Sequence, residues 1–146
     1  MMGKRILVVD DEMSFRLFLR ALFETNGYAP VLARDGAEGL RLARENPPAL
    51  IVLDVMMPHS GGVDMYLRLK TDAALRDVPV IMLSAVAGLT FDHVLGMLGA
   101  AGGNLPKPFA YVEKPPRPET MLALARAAIG EAGEDAKTQE VDAHGA

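Results

Sequence analysis

The chain has 146 residues, half of them hydrophobic, which is enough for about one domain with a real core. A formal net charge of −4 offers no basic footprint for direct nucleic-acid binding, and no apolar run approaches the roughly 18 residues of a membrane span. Cysteine is absent, which excludes disulfides and thiolate chemistry, and the N-terminus enters a strand directly without a signal-peptide pattern, so the expected setting is cytoplasmic.

In chain order, strands alternate with helices. Lys4–Val9 is a short apolar run that reads as a first strand and ends at Asp10 and Asp11. Ser14–Asn26 follows as a helix with Phe15, Leu19, Leu22 and Phe23 on one face, and Gly27 suits its left-handed cap. Tyr28–Ala33 reads as a second strand, and Pro30 places it at a sheet edge because proline cannot donate to a ladder. Asp35-Gly36-Ala37-Glu38 opens a second helix with a capping-box pattern, and Pro47-Pro48 ends it. Ala49–Leu53 is apolar throughout, as expected of a strand buried on both faces, and leads into Asp54. A helix over Gly62–Thr71, a polar link over Asp72–Asp77 and a strand over Val78–Leu83 ending at Ser84 come next. Phe91–Leu98 reads as a fourth helix. The glycine-rich Gly99–Gly103, Asn104 and Leu105-Pro106-Lys107-Pro108 form an irregular connection. Ala110–Glu113 is a fifth strand ending at Lys114-Pro115. Pro118–Ile129 is a fifth helix with Met121, Leu122, Ala125 and Ile129 inward, stopped by Gly130. Residues 131–146 are polar and acidic and are expected to be a disordered tail after a domain spanning residues 1–130.

Five βα units with right-handed crossovers imply a doubly wound α/β fold with a five-stranded parallel sheet. An edge-like second strand favours the flavodoxin-like order 2-1-3-4-5. In that order the carboxyl ends of neighbouring strands carry Asp10 and Asp11, Asp54, Ser84 and Lys114. Three converging carboxylates repel one another unless a cation or protons neutralise them, and hard oxygen ligands suit Mg²⁺. A carboxylate can attack phosphorus to form an acyl phosphate, with an ammonium and a hydroxyl stabilising the developing charge.

Taken together, Val8-Val9-Asp10-Asp11-Glu12, Leu53-Asp54-Val55-Met56-Met57-Pro58 with Gly62, Ser84-Ala85 and Lys114-Pro115 resemble the receiver domain of two-component response regulators over residues 4–130. The resemblance implies that Asp54 is the phosphoacceptor and that Asp10, Asp11, Asp54 and the Met56 backbone carbonyl hold Mg²⁺. It further implies that Ser84 and Lys114 contact the phosphoryl group, and that Tyr111 is the aromatic switch. The implied partners are a sensor histidine kinase or a histidine phosphotransfer protein and a downstream protein docking on helix 4, strand 5 and helix 5, with a homodimer also open. No output domain is read after helix 5, so the reading is a stand-alone, non-enzymatic switch.

Each residue also has a plain structural role open to it: Asp11 as a helix cap, Asp10 as a solvated strand-end acid, Ser84 as a turn residue, Lys114 as a surface lysine, Tyr111 as core packing. His59 reads as solvated and the methionines as core filler. Two other functions compete, an aspartate-nucleophile phosphatase or dehalogenase and a receiver-like interaction module that is never phosphorylated. The former resembles an acid two residues after the nucleophile, where this chain has Met56. From position 84 to position 114 is 30 residues, longer than is usual for the family, and the excess creates a second Lys-Pro-Phe candidate at Lys107. Lys114 is preferred because it runs directly into helix 5.

Overall fold

The structure is a computed structural model that describes residues 3–57, 61–88, 90–99 and 104–130. His59, residues 100–103 of the glycine-rich connection and the tail at 131–146 lie outside the described residues. The elements are β1 (Arg5–Val9), α1 (Met13–Thr25), β2 (Ala29–Ala33), α2 (Gly36–Glu45), β3 (Leu50–Asp54), α3 (Gly62–Lys70), β4 (Val80–Ser84), α4 (Phe91–Leu98), β5 (Ala110–Glu113) and α5 (Pro118–Ile129).

The strands pair in parallel in the order β2-β1-β3-β4-β5, the doubly wound arrangement expected. Alternation along each strand divides the core into two layers. Ile6, Val8, Leu50, Val52, Ile81 and Leu83 pack with Leu19 and Phe23 of α1 and Met121, Leu124 and Ala125 of α5. Leu7, Val9, Ile51, Leu53, Val80 and Met82 pack with Leu40 and Ala43 of α2, Met65, Tyr66 and Leu69 of α3 and Val94 of α4. A strand covered on both faces has no polar side to show, which is why β3 and β4 are apolar throughout until their last residues, Asp54 and Ser84. Pro30 lies in β2, which pairs only with β1, so its missing N–H faces away from the ladder.

Several boundaries and faces differ from expectation for local reasons. β4 begins at Val80 rather than Val78, because the Val78 N–H closes a turn onto the Leu75 carbonyl (3.0 Å) and Pro79 has no N–H to give. β3 extends through Asp54, since the Val55 N–H still bonds the Leu83 carbonyl (3.0 Å). α1 begins one residue early, at Met13. On α5, Leu124 is buried while Leu122 and Ile129 are only partly covered. Met57, Met65, Met82 and Met121 fill the core as expected, whereas Met13, Met56 and Met97 are exposed.

The helix ends follow the chemistry read from sequence. α1 closes in a Schellman motif: the Tyr28 N–H reaches the Phe23 carbonyl (3.0 Å), the Gly27 N–H reaches that of Glu24 (3.2 Å), and Gly27 takes φ +89°. The rings of Phe23 and Tyr28 meet edge to face at 6.1 Å, the hydrophobic contact that usually accompanies this cap. Asp35 accepts the Glu38 N–H (2.8 Å) at the start of α2. Glu38 reaches back to the Arg34 N–H (2.8 Å), one residue before the donor that a strict capping box would use.

Candidate functional site

The carboxyl edge of the sheet gathers the acids. Asp10 directly follows β1 and is wholly buried; Asp54 ends β3 and is 3% exposed; Asp11 is exposed beside them. One carboxylate oxygen from each of Asp10, Asp11 and Asp54 lies within 4.8 Å of the others. Backbone donors fix two of these side chains. The Glu12 N–H donates to Asp10 Oδ1 (2.9 Å), and the Met56 N–H donates to Asp54 Oδ1 (3.0 Å). Each bond spans two residues and bends the chain just past its strand, the Asx-turn habit of aspartate.

Lys114 enters from the end of β5 with its side chain 8% exposed. Its Nζ lies 2.6 Å from Asp10 Oδ2, 3.2 Å from Asp54 Oδ2 and 3.2 Å from Glu12 Oε1. It is therefore Lys114 that reaches the acids, while Lys107 sits exposed on the connection before β5. Burial opposes the Lys114 charge, but the carboxylates of Asp10, Asp54 and Glu12 outweigh it and hold the ammonium above the ordinary lysine range. Asp10 is also raised, which for an acid disfavours the charged form: burial, reinforced by the charge of Asp54, outweighs the Lys114 ammonium and the Glu12 N–H. The asymmetry has a simple origin. Lys114 faces several carboxylates, whereas Asp10 faces one ammonium and a competing acid.

The other expected positions fall into two groups. Ser84 ends β4 at 4% exposure, but its Oγ accepts the Val86 N–H (2.9 Å) in its own turn, and its carbonyl accepts the Lys114 N–H (2.8 Å). Tyr111 sits opposite Met82 in the β4–β5 register and packs against the core layer under α2, α3 and α4, where burial raises its phenol. Met56 and Val86 are each 46% exposed, the first two residues after Asp54 and the second two after Ser84.

Sequence reading passed over three contributors from the start of α1. Glu12 binds the ammonium. Arg16 donates to the Asp10 carbonyl (2.6 Å), tying the first turn of α1 to the end of β1. Phe15 lies under Lys114, with Nζ 4.5 Å from its ring centroid. The available signal was position: Phe15 is the inward residue nearest the N-terminus of α1, hence nearest the acid edge. Gly62 has a comparable role on α3. A Cβ there would collide with the Asp54 carbonyl and come within 2.7 Å of Val55 Cα, so only glycine lets α3 start against the end of β3.

A parallel sheet in this order, with buried acids at its carboxyl edge and a lysine bonded across them, defines a receiver class of α/β domain. A family model for the response regulator receiver domain matches residues 6–124, and the chain belongs to that family, whose members work in two-component signalling. It is 40% identical over 134 residues to the response regulator MprA of Mycobacterium sp. (strain KMS), covering 92% of this chain and 56% of the relative. It is 36% identical over 141 residues to the alkaline phosphatase synthesis transcriptional regulatory protein PhoP of Bacillus subtilis (strain 168), covering 97% and 57%. The chain thus spans a little over half the length of these curated relatives. Among solved structures it is similar to the chemotaxis protein CheY4 of Vibrio cholerae, with a TM-score of 0.71, 26% identity, and coverage of 88% of this chain and 99% of that one. It is also similar to the N-terminal domain of a response regulator receiver protein from Methanoculleus marisnigri JR1, with a TM-score of 0.63, 32% identity, and coverage of 85% and 94%. Among the described residues, no helix is long and apolar enough to cross a membrane.

Proposed function

We propose that this receiver domain accepts a phosphoryl group on Asp54 in a Mg²⁺-dependent reaction, with a phosphohistidine of a sensor kinase or phosphotransfer protein as donor. The observation that carries the reading is the setting of Asp54: nearly buried, oriented through Oδ1 by the Met56 N–H, and bonded through Oδ2 to Lys114 beside Asp10 and Asp11. An Asp54 oxygen attacks phosphorus, an O–P bond forms, and the N–P bond breaks with its electron pair returning to the imidazole. That ring leaves neutral when its other nitrogen carries a proton. Lys114, already against Asp54 Oδ2, is placed to follow charge onto the transferred phosphoryl oxygens.

The acid cluster fits a hard divalent cation. Asp10, Glu12 and Asp54 surround one ammonium and Asp11 stands beside Asp10 and Asp54, a surplus of negative charge with oxygen donors only. Asp10, Asp11, Asp54 and the Met56 carbonyl would hold the ion, whose positive charge would offset that of the phosphoryl oxygens when bound.

Output follows from Ser84. Its Oγ accepts the Val86 N–H (2.9 Å) and donates only over 3.4 Å to the Val86 carbonyl, so turning the hydroxyl proton to a phosphoryl oxygen would give up that long contact and pull on the β4–α4 turn. Tyr111, on the neighbouring strand, would respond to the space so opened and alter the α4–β5–α5 face offered to a downstream protein. Intact mass after incubation with acetyl phosphate tests the reading. One added phosphoryl group is expected in Mg²⁺ and none in excess chelator or in Asp54→Asn. Labelling that survives in Asp54→Asn removes the assignment.

A further inference from the structure

We propose that Phe15 is a positioning residue for Lys114, holding its ammonium at the acid cluster by a cation–π contact. The inference rests on the reading of Asp54 as phosphoacceptor. Lys114 Nζ lies 4.5 Å from the Phe15 ring centroid, well inside the distance at which an ammonium is drawn to the face of an aromatic ring. The ammonium is also shielded, its side chain being 8% exposed, and such contacts strengthen as water is excluded.

The neighbourhood fixes the ring itself. Phe15 stands in the first turn of α1, partly buried against the layer that holds Leu19 and Phe23. The ring of Phe18 rests on it at 5.8 Å, and Arg16 ties the same turn to the Asp10 carbonyl at 2.6 Å. The first turn of α1 and its cap therefore supply Lys114 with both a carboxylate, Glu12, and an aromatic face, Phe15.

The ring does something the carboxylates cannot. An ammonium has three N–H donors, and here three carboxylates stand around it: Asp10 (2.6 Å), Asp54 (3.2 Å) and Glu12 (3.2 Å). Asp10 and Asp54 are also the groups that a divalent cation or a phosphoryl group would engage. Their hold on Lys114 changes at each stage, and Glu12 is largely exposed and screened. The Phe15 ring takes no proton, metal or phosphoryl group. Its attraction is present before and after each change, so it keeps the ammonium within reach of Asp54 while the bonds around it are exchanged. A leucine of similar bulk would fill the space without attracting the charge.

The test combines a shape-preserving series at position 15 with a readout independent of phosphorylation. Proton NMR of the metal-free protein should show the Lys114 side-chain methylene signals shifted upfield by the ring in wild type and Phe15→Tyr, and restored to ordinary values in Phe15→Leu. With acetyl phosphate and Mg²⁺, Phe15→Leu should lower the maximal rate of Asp54 labelling about fivefold, as loss of a partly shielded cation–π contact implies. The Mg²⁺ concentration giving half-maximal rate should stay within about twofold, and Phe15→Tyr should restore the rate. A trifluorinated phenylalanine at position 15, which keeps the shape but removes the negative ring face, should behave like leucine and guards against a leucine variant that fails to fold. Absence of the upfield shift in wild type, or a fluorinated or leucine variant labelled at the wild-type rate, overturns the proposal. A wild-type protein that takes no label defeats the phosphoacceptor reading and this inference with it, whereas labelled wild type with unaffected variants defeats only the role of Phe15.

Discussion

Lys114 bonds Asp10, Glu12 and Asp54 at once, so removing it strips the buried Asp10 carboxylate of its ammonium and leaves neighbouring acids to repel one another. Breaking such a pair from one side costs on the order of 3 kcal/mol. Lys114→Ala should therefore lower the denaturant midpoint markedly and slow Asp54 labelling. Lys107→Ala should change stability by less than about 0.5 kcal/mol, as for an ordinary surface position. The opposite ranking would place the functional lysine at 107. The upward shift of Lys114 adds a pH signature. A group whose folded pKa exceeds its unfolded value, here an ordinary 10.5, contributes stability that is fully present below that value and is lost as pH rises through the folded pKa. Wild type should thus lose stability above about pH 10.5 through this group, and Lys114→Met should lack that component of the alkaline decline. Met56 and Val86 flank the site as exposed apolar side chains that offer no hydrogen bond to an attacking water. Met56→Asn is expected to speed loss of the phosphoryl group roughly tenfold, about 1.4 kcal/mol off the barrier. An unchanged or longer phosphoryl lifetime in that variant would remove this role. Asp10, Asp11, Asp54, Ser84 and Lys114 were visible in the sequence as strand-end positions because charged or hydroxyl residues there follow short apolar runs. Glu12, Phe15 and Arg16 were not assigned to the site, because position puts the start of α1 at the acid edge without saying which side chains there turn to Lys114 or to the end of β1.

The elements hold these residues through a few close approaches. α3 starts against the carboxyl end of β3 at Gly62, where any Cβ meets the Asp54 carbonyl and Val55 Cα. Gly62→Ala must push helix and strand apart, with an expected cost of about 1–3 kcal/mol typical of overpacking. Because the strand residue displaced is Asp54, labelling should fall more than global stability alone explains; a variant as stable and as readily labelled as wild type would show that the contact relaxes freely. β1, β3 and β4 were legible because strands buried on both faces are uninterrupted runs of branched and long apolar residues, and Pro30 marked the edge strand. The start of β4 was not legible, because Val78 looks like strand but its N–H closes a turn before Pro79. The connection before β5 also reads differently in three dimensions. Leu105 packs against the core, Pro108 is buried, and the buried Tyr66 hydroxyl donates to the Pro106 carbonyl, so this part is anchored rather than a loose loop. Its sequence of prolines and one apolar residue carries no period from which that docking could be read.

For the molecule as a whole, the paired strands β4 and β5 link the acid edge of the sheet to the core position of Tyr111. Ser84 lies opposite Glu113 and Met82 opposite Tyr111. We expect the β4–β5 crossover to act in partner choice and not in phosphorylation. Because residues 105–108 are anchored, the informative change is removal of residues 100–103 alone. Labelling of Asp54 should remain within about twofold of wild type, while affinity for a cognate partner, measured by calorimetry, should fall; loss of labelling in a folded deletion would assign the segment to the site. All of this depends on which side chain carries the phosphoryl group. Reductive trapping with borohydride, which converts an aspartyl phosphate to homoserine, followed by peptide mass mapping, identifies that side chain directly. After reaction with acetyl phosphate and Mg²⁺, homoserine is expected at position 54 and at no other acid of the cluster. Homoserine at Asp10, Asp11 or any acid other than Asp54, or none at all in protein shown to be folded, would contradict the assignment.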